Sequence, residues 1–424
     1  MLKGTSDMNG SLKDQLAING GTPVRTKPLP DVGGIAGRTF GDEELANLTE
    51  VIRSGKLFRF GGHFVQDFEA ALAELIGMKH AVAVTSGTAA VHTALAALDF
   101  EPGDEVIVPP ITDMGSVAPI LALNGVPVFA DVDERTLCMD PAAAAAQVTK
   151  RTRAIVAVHL AGNMCDVDAL AEIARGCGAA LVEDCAQAYL AEDKGRVAGS
   201  IGLINAFSLQ QSKHISSGDG GAVVTNDPEL ASKAAMFMDK GWDRLIGGRE
   251  YLMLGLNYRM NELSGAVATA QVPKVREVIG RRRRWAESLT SQIAGVPNVT
   301  PPYVRPGVKH SYWFYPLTWD IDATGVGIGD FCKALAAEGL PAGAGYIQHP
   351  IFDTPCMRGR KTYGSSSYPY GQAGRDIVYR NEDVPAACRA MERLAVVPIN
   401  ENFTQEDVND MAAAIRKVAV AFSG

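Results

Sequence analysis

The octapeptide Phe207-Ser208-Leu209-Gln210-Gln211-Ser212-Lys213-His214, followed by Ser217-Gly218-Asp219-Gly220-Gly221, sets two hydroxyls and one lysine between an apolar run and a glycine-rich turn. The run before it, Ile201 to Phe207, reads as a strand, so the lysine would stand beyond a strand end, screened from bulk water. Screening disfavours the ammonium, lowers the pKa and makes the amine a usable nucleophile towards an aldehyde. Ser208 and Ser212 offer hydroxyl donors to a phosphate, while Gly218, Gly220 and Gly221 permit backbone geometries that other residues resist. An aldehyde and a phosphate on one small molecule describe pyridoxal phosphate, held on the lysine as a Schiff base. A plain loop lysine beside a turn has the same local sequence, so the octapeptide alone leaves both readings open.

Two further segments are polar in complementary ways. Thr85-Ser86-Gly87-Thr88 follows a strand-like run and opens a helical one, so its free N–H groups and hydroxyls form an anion site; the same residues also suit a plain helix cap. Glu183-Asp184-Cys185-Ala186-Gln187-Ala188 ends another apolar run. A carboxylate there can keep a pyridine nitrogen protonated, which makes the ring an electron sink, and Gln187 could reach the ring's 3-hydroxyl. An ordinary strand-end acid is the alternative for Asp184. An anion cradle, a ring-nitrogen acid and an amine on three strand-end loops are hard to reconcile with coincidence.

The elements that would carry these loops follow from periodicity. Asp42–Ser54 is expected to be a helix that stops at Gly55. From His80 onward, expected strands at His80–Thr85, Glu105–Val108, Val126–Ala130, Ala154–His159, Ala179–Glu183 and Ile204–Phe207 alternate with helices at Ala89–Leu98, near Ser116–Asn124 and at Val167–Arg175. Strands that read Val-Ile-Val without polar alternation are buried on both faces, as in a parallel sheet covered by helices. The expected order is an arm over 1–36, a large α/β domain over 37–275 and a smaller α+β domain over 276–424. A long helix around Glu262 to Ser291 crosses that boundary; after it, Tyr312–Trp319 and Leu394–Val397 are strands, and Ile328–Glu338 and Thr404–Val420 are helices. Gly359–Gly374, rich in Gly, Ser and Tyr, reads as a surface insertion.

A length of 424 residues and a composition 47% hydrophobic and 21% charged suit a folded chain of more than one core. The net charge of −8 argues against a nucleic acid or an anionic membrane as partner. The one basic run, Arg281 to Arg284, reads as a solvated helix face. The 7 cysteines are widely and irregularly spaced without a CxxC pair, so neither a metal site nor a disulfide framework is expected. Met1 to Asn19 lacks the apolar core of a signal peptide, and no apolar run approaches a bilayer span, which leads to the expectation of a cytoplasmic protein.

From Gly20 almost to its end the chain resembles the DegT/DnrJ/StrS family of pyridoxal-phosphate-dependent sugar aminotransferases, of fold type I (aspartate aminotransferase-like) architecture. The segments that carry the resemblance are Ala83 to Ala90, Val106 to Pro110, Val126 to Asp131, Val158-His159-Leu160, Glu183 to Ala188, Phe207 to Gly221 and Asn257 to Leu263. The resemblance implies that Lys213 forms the Schiff base, that Asp184 partners the pyridine nitrogen and that Gln187 stands near the 3-hydroxyl. It implies phosphate contacts from Ser86, Gly87, Thr88 and Ser208, and one from Asn257 of a neighbouring subunit, so that a homodimer shares its active sites. A dehydratase branch carries histidine in place of the lysine, so Lys213 favours transamination.

One departure concerns ring stacking. After Ile111-Thr112 the family usually has an aromatic residue, and here Asp113-Met114-Gly115 stands in its place, so Asp113 or Met114 takes that position. The resemblance implies an amino group moving from glutamine or glutamate to a keto-sugar or keto-cyclitol. Ser54 to Gly62 and Gly20 to Arg25 look closer to cyclitol and amino-hydroxybenzoate branches than to nucleotide-sugar ones. A nucleotide-linked 4-keto sugar, a dehydrating and aromatising reaction of the amino-hydroxybenzoate type, and a sensor without turnover are the alternatives. Arg59 and Tyr346 are candidates for substrate contact, with His310, Tyr312 and His349 as further polar groups of the cleft.

Overall fold

A computed structural model describes residues 12–246 and 248–423; residues 1–11 of the expected arm lie outside them. At its centre is a seven-stranded sheet built from β1 (His80–Val84), β2 (Glu105–Val108), β3 (Val126–Phe129), β4 (Thr152–Val158), β5 (Ala180–Asp184), β6 (Ile204–Ser208) and β7 (Gly221–Thr225). Their order across the sheet is β1-β7-β6-β5-β4-β2-β3. Strands β3, β2, β4, β5 and β6 run parallel, and β7 pairs antiparallel with both β6 and β1. The expected α/β class with a mostly parallel sheet is the observed one.

The unalternating runs divide residue by residue between two apolar layers. Val106, Val108, Val156 and Val158 pack on one side of the sheet, and Ile107, Ile155 and Ala157 on the other. Period-two side-chain direction sends neighbours to opposite faces, so a strand with helices on both faces has no polar position to spare. Helices Gly87–Ala96, Met114–Ala122 and Pro228–Met238 cover the first face; Phe64–Ile76, Val167–Cys177 and Glu262–Gln271 cover the second. Each fully buried Val or Ile stabilises the sheet by about 1.5–3 kcal/mol.

Several boundaries differ from expectation for local reasons. The helix after β2 starts at Met114 because Asp113 caps it, its Oδ1 accepting from Gly115 N at 2.7 Å. The long helix expected from Glu262 is broken at Pro273, giving Glu262–Gln271, a tight turn Val272–Lys274 and Val275–Ile293. The strand expected from Tyr312 starts at Tyr315, because Ser311 N and Trp313 N are drawn to Gly162 O and Ala161 O instead.

The small body holds an antiparallel sheet of Val299–Thr300, Tyr315–Trp319, Leu394–Val397 and Gly343–Ala344, packed against Ile328–Ala337 and Gln405–Phe422. The arm is part of it: Leu16 and Leu29 are buried in its core, and Arg25 pairs with Asp407 at 2.6 Å and Asp410 at 2.8 Å. Residues 351–394, expected in the small domain, contribute Ile351, Phe352, Tyr370 and Met391 to the core of the large sheet instead. Gly359–Gly374, expected as a surface insertion, is exposed over most of its length and anchored by the buried Pro369, Tyr370 and Ala373; beyond it, Tyr379 donates to Pro127 O at 2.6 Å at the sheet's β3 edge. Helix Val275–Ile293 joins the bodies, with Val275 and Ile279 in one core and Leu289 and Ile293 in the other.

Candidate active site

The loops that end β1, β2, β5 and β6 converge on one cavity of about 400 Å³, which is also lined by Trp313 and Tyr346 of the small body. Convergence follows from topology: parallel strands end on the same edge, and antiparallel β7 begins there, with Gly221 opposite both Val84 and Ser208.

At the end of β1, Ser86 Oγ accepts from Ala89 N at 3.0 Å and so caps helix Gly87–Ala96. The amides of Gly87 and Thr88 have no partner in the chain among the described residues and stand at the positive end of that helix. Helix and strand meet closely here, since a Cβ on Gly87 would lie 2.6 Å from Ser208 Cβ. Two amides and the Ser208 hydroxyl therefore face the same corner of the cavity, a cradle for a phosphate.

At the end of β5, Asp184 is buried and held at both oxygens. Oδ1 accepts from Ala186 N at 3.1 Å, and Oδ2 accepts from Ser116 Oγ at 2.7 Å. Ser116 Oγ also lies 2.8 Å from Thr112 Oγ1, so with its own proton given to Asp184 it accepts from Thr112. Gln187 is oriented just as firmly. Its Oε1 accepts from Ala161 N at 2.7 Å, which turns Nε2 towards the Tyr346 hydroxyl at 3.0 Å. Burial pushes the Tyr346 phenol far up, with Asp113 and Asp184 adding to the shift, so it stays protonated.

Behind this edge, Glu183 receives His159 Nε2 at 2.9 Å and the amides of Gly199, Ile201 and Gly202. Burial alone would raise its pKa, yet these donors hold it below the usual carboxylate range. His159, Glu183 and Cys185 stand within metal-ligand reach of one another. His159 Nδ1 is nevertheless spent on Cys165 N, so the cluster is a strand-end brace.

Lys213 follows β6 by a tight turn, its N–H donating to Gln210 O and its carbonyl accepting from Arg38 Nη1 at 2.9 Å. Burial pushes its amine down to about 8, against the opposing pull of Asp184 and Asp113. A fraction of it is therefore neutral and nucleophilic near pH 7.5. His214, next in the chain, faces away: it is buried, its Nε2–H donates to Ser311 O at 3.1 Å, and burial keeps it neutral.

The structure brings Ser86, Gly87, Thr88, Asp113, Asp184, Gln187, Ser208, Lys213 and Tyr346 to one cavity, and leaves other expected residues out of it. Met114 packs against the core of the large sheet, since the cap at Asp113 turns it inward. Arg59 is buried in an ion pair with Glu69 at 2.5 Å and lines a different cavity beside Asp239 and Arg244. Asn257 is exposed, away from this chain's cavity. His310 stacks on Tyr312 at 4.0 Å in the interior, and His349 is exposed outside the lining.

Nor is the basic run a solvated face throughout. Arg282 is buried against Glu401 and holds the carbonyls of Tyr312 and Trp313, while Arg283 holds that of His310. Sequence reasoning missed Ser116, Thr112, Arg38 and Trp313. Thr112 and Ser116 carried a signal, since they flank the departure at Asp113-Met114.

Comparison with known proteins agrees with this geometry. The model of the DegT/DnrJ/EryC1/StrS aminotransferase family matches residues 38–416. This chain belongs to that family. The L-glutamine:2-deoxy-scyllo-inosose aminotransferase of Streptoalloteichus tenebrarius is 34% identical over 429 residues, covering 95% of this chain and 97% of the relative. The spore coat polysaccharide biosynthesis protein SpsC of Bacillus subtilis is 33% identical over 388 residues, covering 89% and 95%. Among solved structures, DesI in the presence of its TDP-sugar product superposes with a TM-score of 0.81 at 28% identity, covering 96% of each chain.

The aminotransferases of this family use pyridoxal phosphate, and the residues present fit it. Gly87 leaves no room for a side chain against Ser208, and the amides of Gly87 and Thr88 have no partner among the described residues. The paired carboxylate of Asp184 keeps lone pairs for a ring N–H, and the Gln187 amide keeps a proton for the 3-hydroxyl. No aromatic side chain stands at Asp113, so the aromatic groups of the cavity are Trp313 and Tyr346 from the small body.

Proposed function

We propose that this aminotransferase moves an amino group from glutamine or glutamate to the ketone of a cyclitol or unactivated sugar, through Lys213. The observation that carries the reading is that Lys213 and Asp184 line one cavity together with Gly87, Thr88 and Ser208, the candidate phosphate cradle. When bound, pyridoxal phosphate supplies an aldehyde for the amine and a ring that takes up electron pairs. Asp184, fixed by Ser116 and Ala186, would hold the proton on the ring nitrogen. Gln187, fixed by Ala161, would orient the ring through its hydroxyl, and Lys213 would carry protons at the reacting carbon.

A polar, uncharged acceptor fits the lining. Asp113 and Asp219 line the cavity in addition to Asp184, against Lys213 as its only cation among the described residues, a balance that disfavours a nucleotide diphosphate. The scyllo-inosose aminotransferase relative supports a cyclitol. The DesI likeness, with a TDP-sugar, supports the competing acceptor.

The site is completed by a second copy in this reading. Asn257 is exposed beside Leu252, Leu254 and Leu256, which are exposed too, and such a run of apolar side chains suits burial against a partner. Asn257 then reaches the phosphate of the neighbouring subunit.

Borohydride reduction and peptide mapping test the centre of the reading, with the pyridoxyl label expected on Lys213. A label elsewhere, or none, overturns it. The acceptor is decided by the pyridoxamine phosphate form of the enzyme offered a keto-inositol and a nucleotide-linked 4-keto sugar. Faster return of the absorbance with the nucleotide sugar would reverse the choice of acceptor and leave aminotransfer standing.

A further inference from the structure

In the proposed reading Lys213 Nζ would be bonded to the cofactor in one state and free in the other. A donor nitrogen bonding to the cofactor carbon would displace Lys213 Nζ and pass two protons to it, so that the lysine would leave as a neutral amine with no exchange of electrons with any oxidant. The free amine must stay close to the reacting carbon to carry protons there. A long, flexible side chain does not stay in place without a partner.

Lys213 Nζ lies 3.9 Å from the centroid of the Trp313 indole ring. The ring itself is fixed. Trp313 N donates to Ala161 O and Nε1 donates to Ser212 O, each at 2.7 Å, and the ring meets Tyr346 edge to face at 6.0 Å. Ser212 immediately precedes Lys213, so one indole grips the backbone of the lysine loop and offers its face to the lysine's end. An ammonium screened from water is attracted to such a face by the ring quadrupole.

We propose that the indole face of Trp313 is the docking place of the free Lys213 side chain once it has taken up a proton, which makes Trp313 a positioning residue for the proton carrier. The proposal rests on the reading of Lys213 as the cofactor-binding lysine. The groups around the amine are Asp184 at the end of β5, Asp113 at its helix cap, Asp219 in the glycine-rich turn, and the neutral phenol of Tyr346. Arg38 faces the Lys213 carbonyl and His214 is neutral. Substitution at Trp313 leaves all of these in the chain, so a changed proton affinity of Lys213 reports on the ring.

The test uses the protein loaded with pyridoxamine phosphate, in which Lys213 is free. Competitive acetylation with limiting acetic anhydride across the neutral to alkaline range, read by peptide mass, gives the titration midpoint of Lys213 without any turnover. Trp313→Leu is expected to lower that midpoint by roughly half to one and a half pH units. Trp313→Phe keeps a weaker ring face and loses the Nε1–H donor, so its midpoint should fall between the two. An unchanged midpoint in the leucine variant overturns the proposal. So does a phenylalanine variant that falls as far as leucine, because the Ser212 hydrogen bond would then be the cause. Should the leucine variant not fold, a phenylalanine midpoint equal to the parent's is the refuting result. Failure of the borohydride label on Lys213 in the parent would refute the underlying reading instead, and is scored separately.

Discussion

Gly87→Ala should weaken cofactor binding without disturbing the rest of the fold, and the size of the effect follows from one contact. The added Cβ would lie 2.6 Å from Ser208 Cβ and 2.8 Å from Ser208 Oγ. Carbon atoms in contact sit about 3.5–4.0 Å apart, so helix and strand must separate by roughly 1 Å. Neither side can retreat freely. Ser86 O already sits where a side chain on Gly221 would go, and Gly221 is paired with both Val84 and Ser208.

Overpacking of this kind costs about 1–3 kcal/mol of stability. Moving the Gly87 and Thr88 amides away from Ser208 forfeits at least one hydrogen bond to a charged phosphate. That is worth about 1.5–3 kcal/mol, roughly 10- to 150-fold in Kd. The assay is reconstitution of cofactor-free protein with pyridoxal phosphate, followed by absorbance, beside a thermal melt without cofactor. Gly280→Ala is the control. Gly280 lies within helix Val275–Ile293 with nothing near its added Cβ, so that change should stabilise by about 0.5–1 kcal/mol and leave Kd alone. A Gly87→Ala protein that binds cofactor as tightly as the parent would refute the cradle.

Asp184→Ala should lower kcat on the order of a thousandfold, about 4 kcal/mol, while the phosphate cradle still binds cofactor; steady-state kinetics that retained most of the activity would exclude the ring-nitrogen role. Acid should destabilise the protein through its buried histidines. Burial pushes His92 down to about 4, His310 down to about 3 and His214 well below its ordinary 6.5. Below about pH 6.5 the unfolded chain therefore takes up protons that the folded chain refuses, and stability falls by up to about 1.4 kcal/mol per pH unit for each histidine. Urea midpoints measured at neutral pH and near pH 5 should draw closer together in His92→Gln, and an unchanged gap would remove His92 from the account.

The parallel sheet, the three polar loops and the candidate attachment lysine were legible in the sequence because each is written in contiguous residues. Unalternating runs such as Val106-Ile107-Val108 follow from burial on both faces, and the cap at Ser86 and the turn after Lys213 follow from local backbone needs. The edge that collects these loops follows from strand direction alone. Other features depend on residues far apart in the chain. Trp313 reaches Lys213 only because its backbone is drawn to Ala161, 152 positions earlier, and Arg282 is buried because Glu401 awaits it across the helix.

Ser116 is a short polar residue in an apolar helix until the fold sets it 2.7 Å from Asp184. Arg59 shows the converse: its type and place suggested a substrate contact, and Glu69, one helix away, holds it elsewhere. Sequence spacing encodes periodicity and local hydrogen bonding, which decide the elements and the loops at their ends. Which charge meets which, and which ring lies under which amine, is decided by packing distances between segments that the sequence keeps apart.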